Sequence, residues 1–126
     1  MAQPVALITG ASRGIGRAAA IALAAQGYHL ALVARSRVDL EETARLANAR
    51  DAQILPADVT EPEQVLALGH EAVDRLARLD ALVNIAGLAP ERRVEEMSID
   101  EWRSVIDTNL SAVFYLTKYA WPHFKV

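Results

Sequence analysis

Of all segments of this chain, Thr9–Gly16, with the sequence TGASRGIG, has the residue types and spacing that most clearly indicate a binding site. Its three glycines follow an apolar run directly and open an alanine-rich helical pattern. Glycine adopts backbone angles closed to other residues and lets the start of a helix approach a ligand closely. The unpaired N–H groups and the positive end of that helix favour phosphate. The segment therefore predicts a phosphate-binding loop that consists of Gly10, Ser12, Arg13, Gly14, Ile15 and Gly16.

Short apolar runs alternate with longer helical patterns along the chain. The runs, each apolar on both faces, are Val5–Thr9, His29–Ala34, Gln53–Leu55 and Ala81–Asn84. Runs of this kind fit parallel strands covered on both sides, and their alternation with helices predicts right-handed βαβ units. The glycine loop then lies at the carboxyl end of the first strand, where it opens the first helix.

The helices between these strands have recognisable ends. Gly27 closes the first helix, Gly14–Gln26, as a C-terminal glycine. Three residue pairs have the spacing of N-terminal caps: Ser36 with Asp39, Thr60 with Glu63, and Ser98 with Glu101. They predict a second helix that ends near Asn48, a third helix, and a last helical region towards Phe124 in which Pro122 kinks or ends the helix.

Composition limits the class of protein and excludes several kinds of site. The 126 residues suffice for one domain, and 52% hydrophobic with 23% charged residues is typical of a soluble globular protein. The net charge of −3 gives no indication of a nucleic-acid or anionic-membrane partner. The absence of cysteine excludes disulfides, thiolate nucleophiles and zinc–thiolate sites, and the three histidines lack metal-ligand spacing. No metal site is predicted.

The start of the chain favours a cytoplasmic protein. Met1–Pro4 has no basic segment, the apolar run after it is shorter than that of a signal peptide, and no stretch approaches the length of a membrane span. We therefore expect a cytoplasmic location and no membrane partner.

The glycine spacing G-x-x-x-G-x-G differs from the G-x-G-x-x-G of most dinucleotide folds. Thr9–Gly16 resembles the cofactor motif of the short-chain dehydrogenase/reductase family, and three further matches follow in order: Asp58-Val59, Asn84-Ile85-Ala86-Gly87 and Asn109. The resemblance covers the whole chain. It implies a three-layer, Rossmann-like, doubly wound α/β fold with a parallel sheet in the order 3-2-1-4 and a long last helix. Residues 1–126 would then form a truncated NAD(P)-binding domain, the N-terminal half of such a protein.

The resemblance also implies how a dinucleotide would be held. Asp58 would accept a hydrogen bond from the adenine amino group, and the backbone of Val59 would touch the ring. Asn84, Ala86 and Gly87 would line the ribose side, although the second position of the common Asn-Asn-Ala-Gly pattern is isoleucine here. Each has an ordinary alternative: Asp58 can be a helix cap close to Thr60, and Gly87 a turn glycine after a strand.

Two arginines favour NADP(H) over NAD(H) as the cofactor. In dinucleotide folds an acidic residue about twenty positions beyond the glycines binds the ribose hydroxyls of NAD. Arg35 stands there instead, 19 residues after Gly16, and its guanidinium can pair with a 2′-phosphate. Arg13 in the glycine loop can approach the same phosphate. The alternative is that Arg35 and Arg37 are solvated charges at the end of a strand.

The reaction centre that the resemblance implies is incomplete in this sequence. The family moves a hydride with a Tyr acid/base, a Lys four residues later, a Ser and an Asn. Only the Asn matches, as Asn109, because no tyrosine here is followed by lysine at the fourth position. Tyr115 and Lys118 are three residues apart and could share a helix face. Packing in the core or at the surface, rather than catalysis, is the ordinary role of such side chains. We therefore expect the chain alone to lack catalytic competence.

Three interpretations of this sequence remain open. The first is the NADP(H)-binding half of a short-chain oxidoreductase, and the second is a non-catalytic NADP(H)-binding or scaffold module. The third is a truncated gene product without a function of its own. Because the fourth strand, Ala81–Asn84, would be an open edge, we expect a homo-oligomer formed through that strand, the last helix, or both.

Overall fold

The computed structural model of the protein describes residues 3–124, apart from the side chains of residues 73, 74 and 76. Met1, Ala2 and the final two residues lie outside the described part. The sheet has four parallel strands: β1 (Val5–Thr9), β2 (His29–Ala34), β3 (Gln53–Pro56) and β4 (Ala81–Val83). Their order is β3-β2-β1-β4, which confirms the predicted order 3-2-1-4. β1 is central, with Ala6 paired to Leu30 on one side and to Ala81 on the other.

Five α-helices connect and cover the strands in the part of the chain that is described. They are α1 (Gly14–Ala25), α2 (Arg37–Leu46), α3 (Pro62–Leu76), α4 (Ile99–Ile106) and α5 (Ala112–Ala120). A π-helical segment, Asp107–Ser111, joins α4 to α5, so the expected long last helix is a continuous helical stretch with one wider turn. α5 ends before Pro122, which lies in a 3₁₀ turn, Trp121–His123. α2 stops earlier than expected because Asn48 adopts a φ of 52°, in the left-handed region.

Two apolar cores lie on opposite faces of the sheet and make the fold three-layered. On one face, Ala20 of α1 and Leu40 of α2 pack with Ala6, Ile8, Leu30 and Leu32. On the other face, Val65 and Leu68 of α3 and Leu116 of α5 pack with Leu7, Val33 and Leu55. Because strand residues alternate between the two faces and both faces are covered, every residue of β1 is buried, as its largely apolar sequence predicts.

Two of the three predicted caps are present. Ser36 Oγ accepts from the N–H of Asp39 at 3.3 Å, and Ser98 with Glu101 forms a complete capping box. The prediction for Thr60 with Glu63 is wrong: the hydroxyl of Thr60 donates to Asp58 Oδ1 at 2.7 Å. α3 begins at Pro62, so the residue directly before the helix is Glu61 and not Thr60.

The glycine at position 69 gives a stability prediction. A Cβ added to Gly69 within α3 would meet its nearest neighbouring atom, the Tyr119 carbonyl oxygen, at 3.9 Å, which is ordinary contact. Alanine also restricts the unfolded chain, so we expect Gly69→Ala to raise the free energy of unfolding by about 0.5–1 kcal/mol, measured by urea denaturation. The matched control is Gly27→Ala, which should destabilise because Gly27 has a φ of 89°. A Gly69→Ala variant less stable than wild type would contradict the prediction.

Candidate functional site

A cleft of about 940 Å³ opens at the carboxyl ends of the strands. In parallel α/β sheets ligands bind at this edge, where neighbouring connections diverge to opposite faces, and pockets for small molecules are typically about 300–1,000 Å³. The residues predicted from the sequence that line the cleft are Gly10, Ser12, Arg13, Gly14, Ile15, Gly16, Arg35, Asp58, Val59, Ala86 and Gly87. Asn84 and Asn109 are not among the lining residues.

Close backbone approach explains two of the three glycines in the loop. A Cβ on Gly16 would lie 1.8 Å from the carbonyl oxygen of Gly10, and a Cβ on Gly10 would lie 2.7 Å from the nitrogen of Ala86. Gly10 also has a φ of 64°. The loop, the start of α1 and the segment after β4 can therefore meet only where no side chain intervenes.

Thr9 joins the end of β1 to the segment that follows β4. Its side chain is buried, and Oγ1 accepts from the N–H groups of Ile85 at 3.1 Å and Ala86 at 3.2 Å. The Ile85 side chain packs against the core between the sheet and α1–α2, so this departure from the common family pattern is accommodated by apolar contact. Asn84 is exposed. The hydrogen bonds of Thr9 therefore hold one wall of the cleft in place.

Asp58 is held by its neighbours as a carboxylate. Its Oδ1 accepts from the Thr60 hydroxyl at 2.7 Å and the Thr60 N–H at 3.0 Å. The Thr60 hydroxyl is the largest cause of a lowered pKa for Asp58, and Arg35 also contributes. The backbone N–H of Asp58 donates to Gln64 Oε1 at 2.8 Å, a support that the sequence pattern did not single out. Asp58 therefore lines the cleft and also organises the turn before α3.

This arrangement predicts how the charge of Asp58 responds to substitution. Thr60→Val removes the hydroxyl, so we expect the pKa of Asp58 to rise and the carboxylate to be protonated at a higher pH than in wild type. Thr60→Ser keeps the hydroxyl and should leave the pKa of Asp58 near the wild-type value. Carbon-13 NMR titration of the Asp58 carboxyl measures the change, and equal pKa values in the two variants would refute the assignment.

The two arginines singled out by the sequence both line the cleft. Arg13 of the glycine loop and Arg35 at the end of β2 are both exposed and both line it. Among the described side chains neither forms an ion pair, whereas Arg37 pairs with Glu41 at 3.9 Å. Ser36 and Asp39 of the first turn of α2 also line the cleft, and sequence analysis had assigned them only to capping.

Asn109 lies in the π-helical segment and binds the backbone of the segment after β4. Its Oδ1 accepts from the N–H of Leu88 and its Nδ2 donates to the Leu88 carbonyl, both at 2.7 Å. A π turn inside an α-helix is frequently found at functional sites. Three residues of this region that the sequence analysis missed, Ser104, Asp107 and Thr108, line the cleft beside it.

Tyr115 and Lys118 do not line the cleft. Tyr115 packs against the core that contains α3 and α5, and Lys118 Nζ lies 5.9 Å from the centre of the Phe114 ring. Within residues 3–124, no group of three His, Cys, Asp or Glu side chains is placed to hold a metal ion. No helix in the same part of the chain is long and apolar enough to cross a membrane.

Residues 4–126 match the family model described as short chain dehydrogenase. A 3-oxoacyl-[acyl-carrier-protein] reductase of Synechocystis is 38% identical over 117 residues, which cover 90% of this chain and 47% of that protein. The chain spans about half the length of the curated relatives it matches.

Solved structures of such proteins superimpose with TM-scores between 0.85 and 0.93. An alcohol dehydrogenase of Thermococcus sibiricus complexed with 5-hydroxy-NADP has a TM-score of 0.87 and 38% identity, over 95% of this chain and 52% of that one. A carveol dehydrogenase of Mycobacterium avium in complex with NAD has a TM-score of 0.85 and 32% identity, over 98% of this chain and 50% of that one.

Proposed function

Because the chain belongs to the short-chain dehydrogenase family, we propose that it is the dinucleotide-binding half of an oxidoreductase and prefers NADP(H) to NAD(H). The glycine loop would hold the pyrophosphate at the start of α1. Asp58 and Val59 would bind the adenine, and Ala86 and Gly87, which line the cleft as Asn84 does not, would face the ribose side. When bound, the nicotinamide supplies or accepts a hydride.

The observation that carries the cofactor preference is that Arg13 and Arg35 both line the cleft and that neither forms an ion pair within 4 Å among the described side chains. Relatives of similar fold bind either cofactor, one being complexed with 5-hydroxy-NADP and another with NAD. Family membership therefore does not decide between NADP(H) and NAD(H). The positive charge of the two arginines supports NADP(H). A guanidinium pairs with a 2′-phosphate and has no such partner in NAD.

A fluorescence titration of the purified chain with NADPH and with NADH tests the preference. We expect NADPH to bind about tenfold more tightly, and Arg35→Ala to remove that advantage while leaving NADH affinity within about twofold. Arg37→Ala, whose guanidinium already pairs with Glu41, is the matched control and should change neither affinity. Equal affinity of the wild-type chain for both dinucleotides would contradict the proposal.

Catalysis by the proposed oxidoreductase needs groups that these residues do not contain. No tyrosine in the sequence is followed by lysine at the fourth position, and Tyr115 and Lys118 pack away from the cleft. Asn109, which binds the backbone of Leu88 beside the cleft, is the one residue here that we assign to the proposed reaction centre. We expect the purified chain to bind dinucleotide but to give no NADPH oxidation with carbonyl compounds, and measurable turnover would refute this expectation.

A second candidate, a non-catalytic module that associates with a further copy of itself, is favoured by apolar surface on the last helical stretch. Trp102, Leu110, Phe114 and Trp121 are each more than half exposed, at 56, 64, 62 and 73%. We propose self-association through this surface, through β4, or through both. Sedimentation equilibrium at micromolar concentration should give a mass above that of one chain, and a single-chain mass would exclude self-association.

A cytoplasmic location without nucleic-acid or membrane partners stays a prediction from charge and composition.

A further inference from the structure

Two polar side chains behind the glycine loop connect that loop to α2. Thr43 of α2 is 0% exposed, and its Oγ1 donates to the carbonyl oxygen of Ala11 at 2.7 Å. Thr43 Oγ1 in turn accepts from Arg17 Nε of α1 at 2.9 Å. Arg17 Nη2 donates to the carbonyl oxygen of Ser12 at 2.6 Å and to that of Asp39 at 3.3 Å. Consecutive carbonyl groups of the loop are therefore turned towards buried Thr43 and half-buried Arg17.

Peptide geometry fixes the direction of the N–H groups on the opposite side of the loop. In a planar trans peptide the carbonyl and the following N–H point in opposite directions, and the described chain has no cis peptide bond. Since the carbonyls of Ala11 and Ser12 face Thr43 and Arg17, the N–H groups of Ser12 and Arg13 point away from them. Neither N–H forms a hydrogen bond of ordinary length and angle with another residue of the described chain, and both residues line the cleft.

We propose that Arg17 and Thr43 are positioning residues that turn the N–H groups of Ser12 and Arg13 towards phosphate oxygens in the cleft. The inference rests on the proposed dinucleotide function and names a pair of residues that act on it without touching the ligand. Thr43 orders the loop from below, and Arg17 fixes it to the first turn of α2 through Asp39. A loop held in this way before binding loses less conformational freedom when the phosphates arrive.

The alternative is that Thr43 only satisfies buried polar groups and stabilises the packing of α2. Both roles predict some loss of stability for Thr43→Val, which keeps the shape of the side chain but removes the hydroxyl. Only the positioning role predicts a loss of phosphate binding beyond that of an equally destabilised protein. Val65→Ala supplies that comparison, because Val65 is buried in the core on the opposite face of the sheet.

The test measures NADPH and NADH affinity by fluorescence titration, together with thermal stability, for wild type and four variants. We expect Thr43→Val to weaken both dinucleotides about tenfold and by the same factor, which distinguishes it from Arg35→Ala. Thr43→Ser should restore affinity to within about twofold. Arg17→Lys should weaken binding as Thr43→Val does, because an ammonium keeps the charge but lacks the planar fork. Val65→Ala should bind as wild type despite its lower stability.

The proposal is overturned if Thr43→Val binds as wild type, or if Val65→Ala loses as much affinity at equal stability. Wild-type protein that binds neither dinucleotide overturns the proposed function instead. In that case, amide hydrogen exchange of residues 10–16 tests the positioning role without relying on dinucleotide binding. Faster exchange of these amides in Thr43→Val than in Thr43→Ser supports it, and equal exchange in the two variants overturns it.

Discussion

Gly16→Ala is expected to lower the affinity of the chain for NADPH by at least about a hundredfold, equivalent to about 2.7 kcal/mol. The added Cβ would lie 1.8 Å from the Gly10 carbonyl oxygen and 2.5 Å from its carbon, both rigid backbone atoms. The start of α1 must then move away from the loop, and the N–H groups at that helix end are displaced from the cleft. Overpacking of this kind also destabilises a fold by about 1–3 kcal/mol, so thermal unfolding should be measured beside the titration.

The matched control is Gly14→Ala in the same loop. A Cβ on Gly14 has no neighbouring atom within 4 Å, and only its φ of 54° opposes a side chain. That backbone conformation costs about 1–2 kcal/mol for an L-residue, so the loss of affinity should be at most about thirtyfold. If Gly16→Ala binds NADPH as tightly as Gly14→Ala does, the close approach of α1 to the loop is not required for binding.

Thr9→Val is expected to lower the free energy of unfolding by about 2–6 kcal/mol. The substitution removes the single oxygen that accepts from both Ile85 and Ala86, and each unsatisfied buried donor costs about 1–3 kcal/mol. Thr9 is 1% exposed, so water cannot readily replace the lost acceptor. Urea denaturation measures the change, and a midpoint shift without a change of slope would show that stability alone is altered.

Thr9→Ser keeps the hydroxyl and loses only a methyl group, so it should cost less than about 1.5 kcal/mol. A Thr9→Val variant as stable as Thr9→Ser would show that the N–H groups after β4 find other partners. Because those groups belong to a wall of the cleft, Thr9→Val should also weaken dinucleotide binding, whereas Thr9→Ser should preserve it.

The elements of the fold could be predicted from local patterns. Wholly apolar runs located the four strands to within one residue at each end, and Ser36 and Ser98 marked the starts of α2 and α4. These signals succeed because burial on both faces and capping depend on a few neighbouring residues. The strand order followed from the family resemblance rather than from any local pattern, and the structure has that order.

The residues of the candidate site that belong to a sequence motif were predictable. Those that segments distant in the sequence bring together were not. The glycine loop, Arg35 and Asp58 were found because their spacing along the chain is characteristic. Thr43 gave no signal, since its hydrogen bond to Ala11 spans 32 residues. The cap at Thr60 was predicted wrongly because the residue pattern does not fix where the helix starts, and α3 begins at Pro62, two residues after Thr60.

The central position of β1 has a consequence for the order of folding. Val5 pairs with His29, but Ala6 pairs with Ala81, so the two sides of the same strand close loops of very different length. Short loops close faster, and chains fold from the N-terminus as they leave the ribosome. The β1-α1-β2 unit, which contains the glycine loop, can therefore assemble while β4 is still being synthesised. Until β4 arrives, the backbone groups on that side of β1 are unpaired, and an unpaired strand edge can pair with another chain and aggregate.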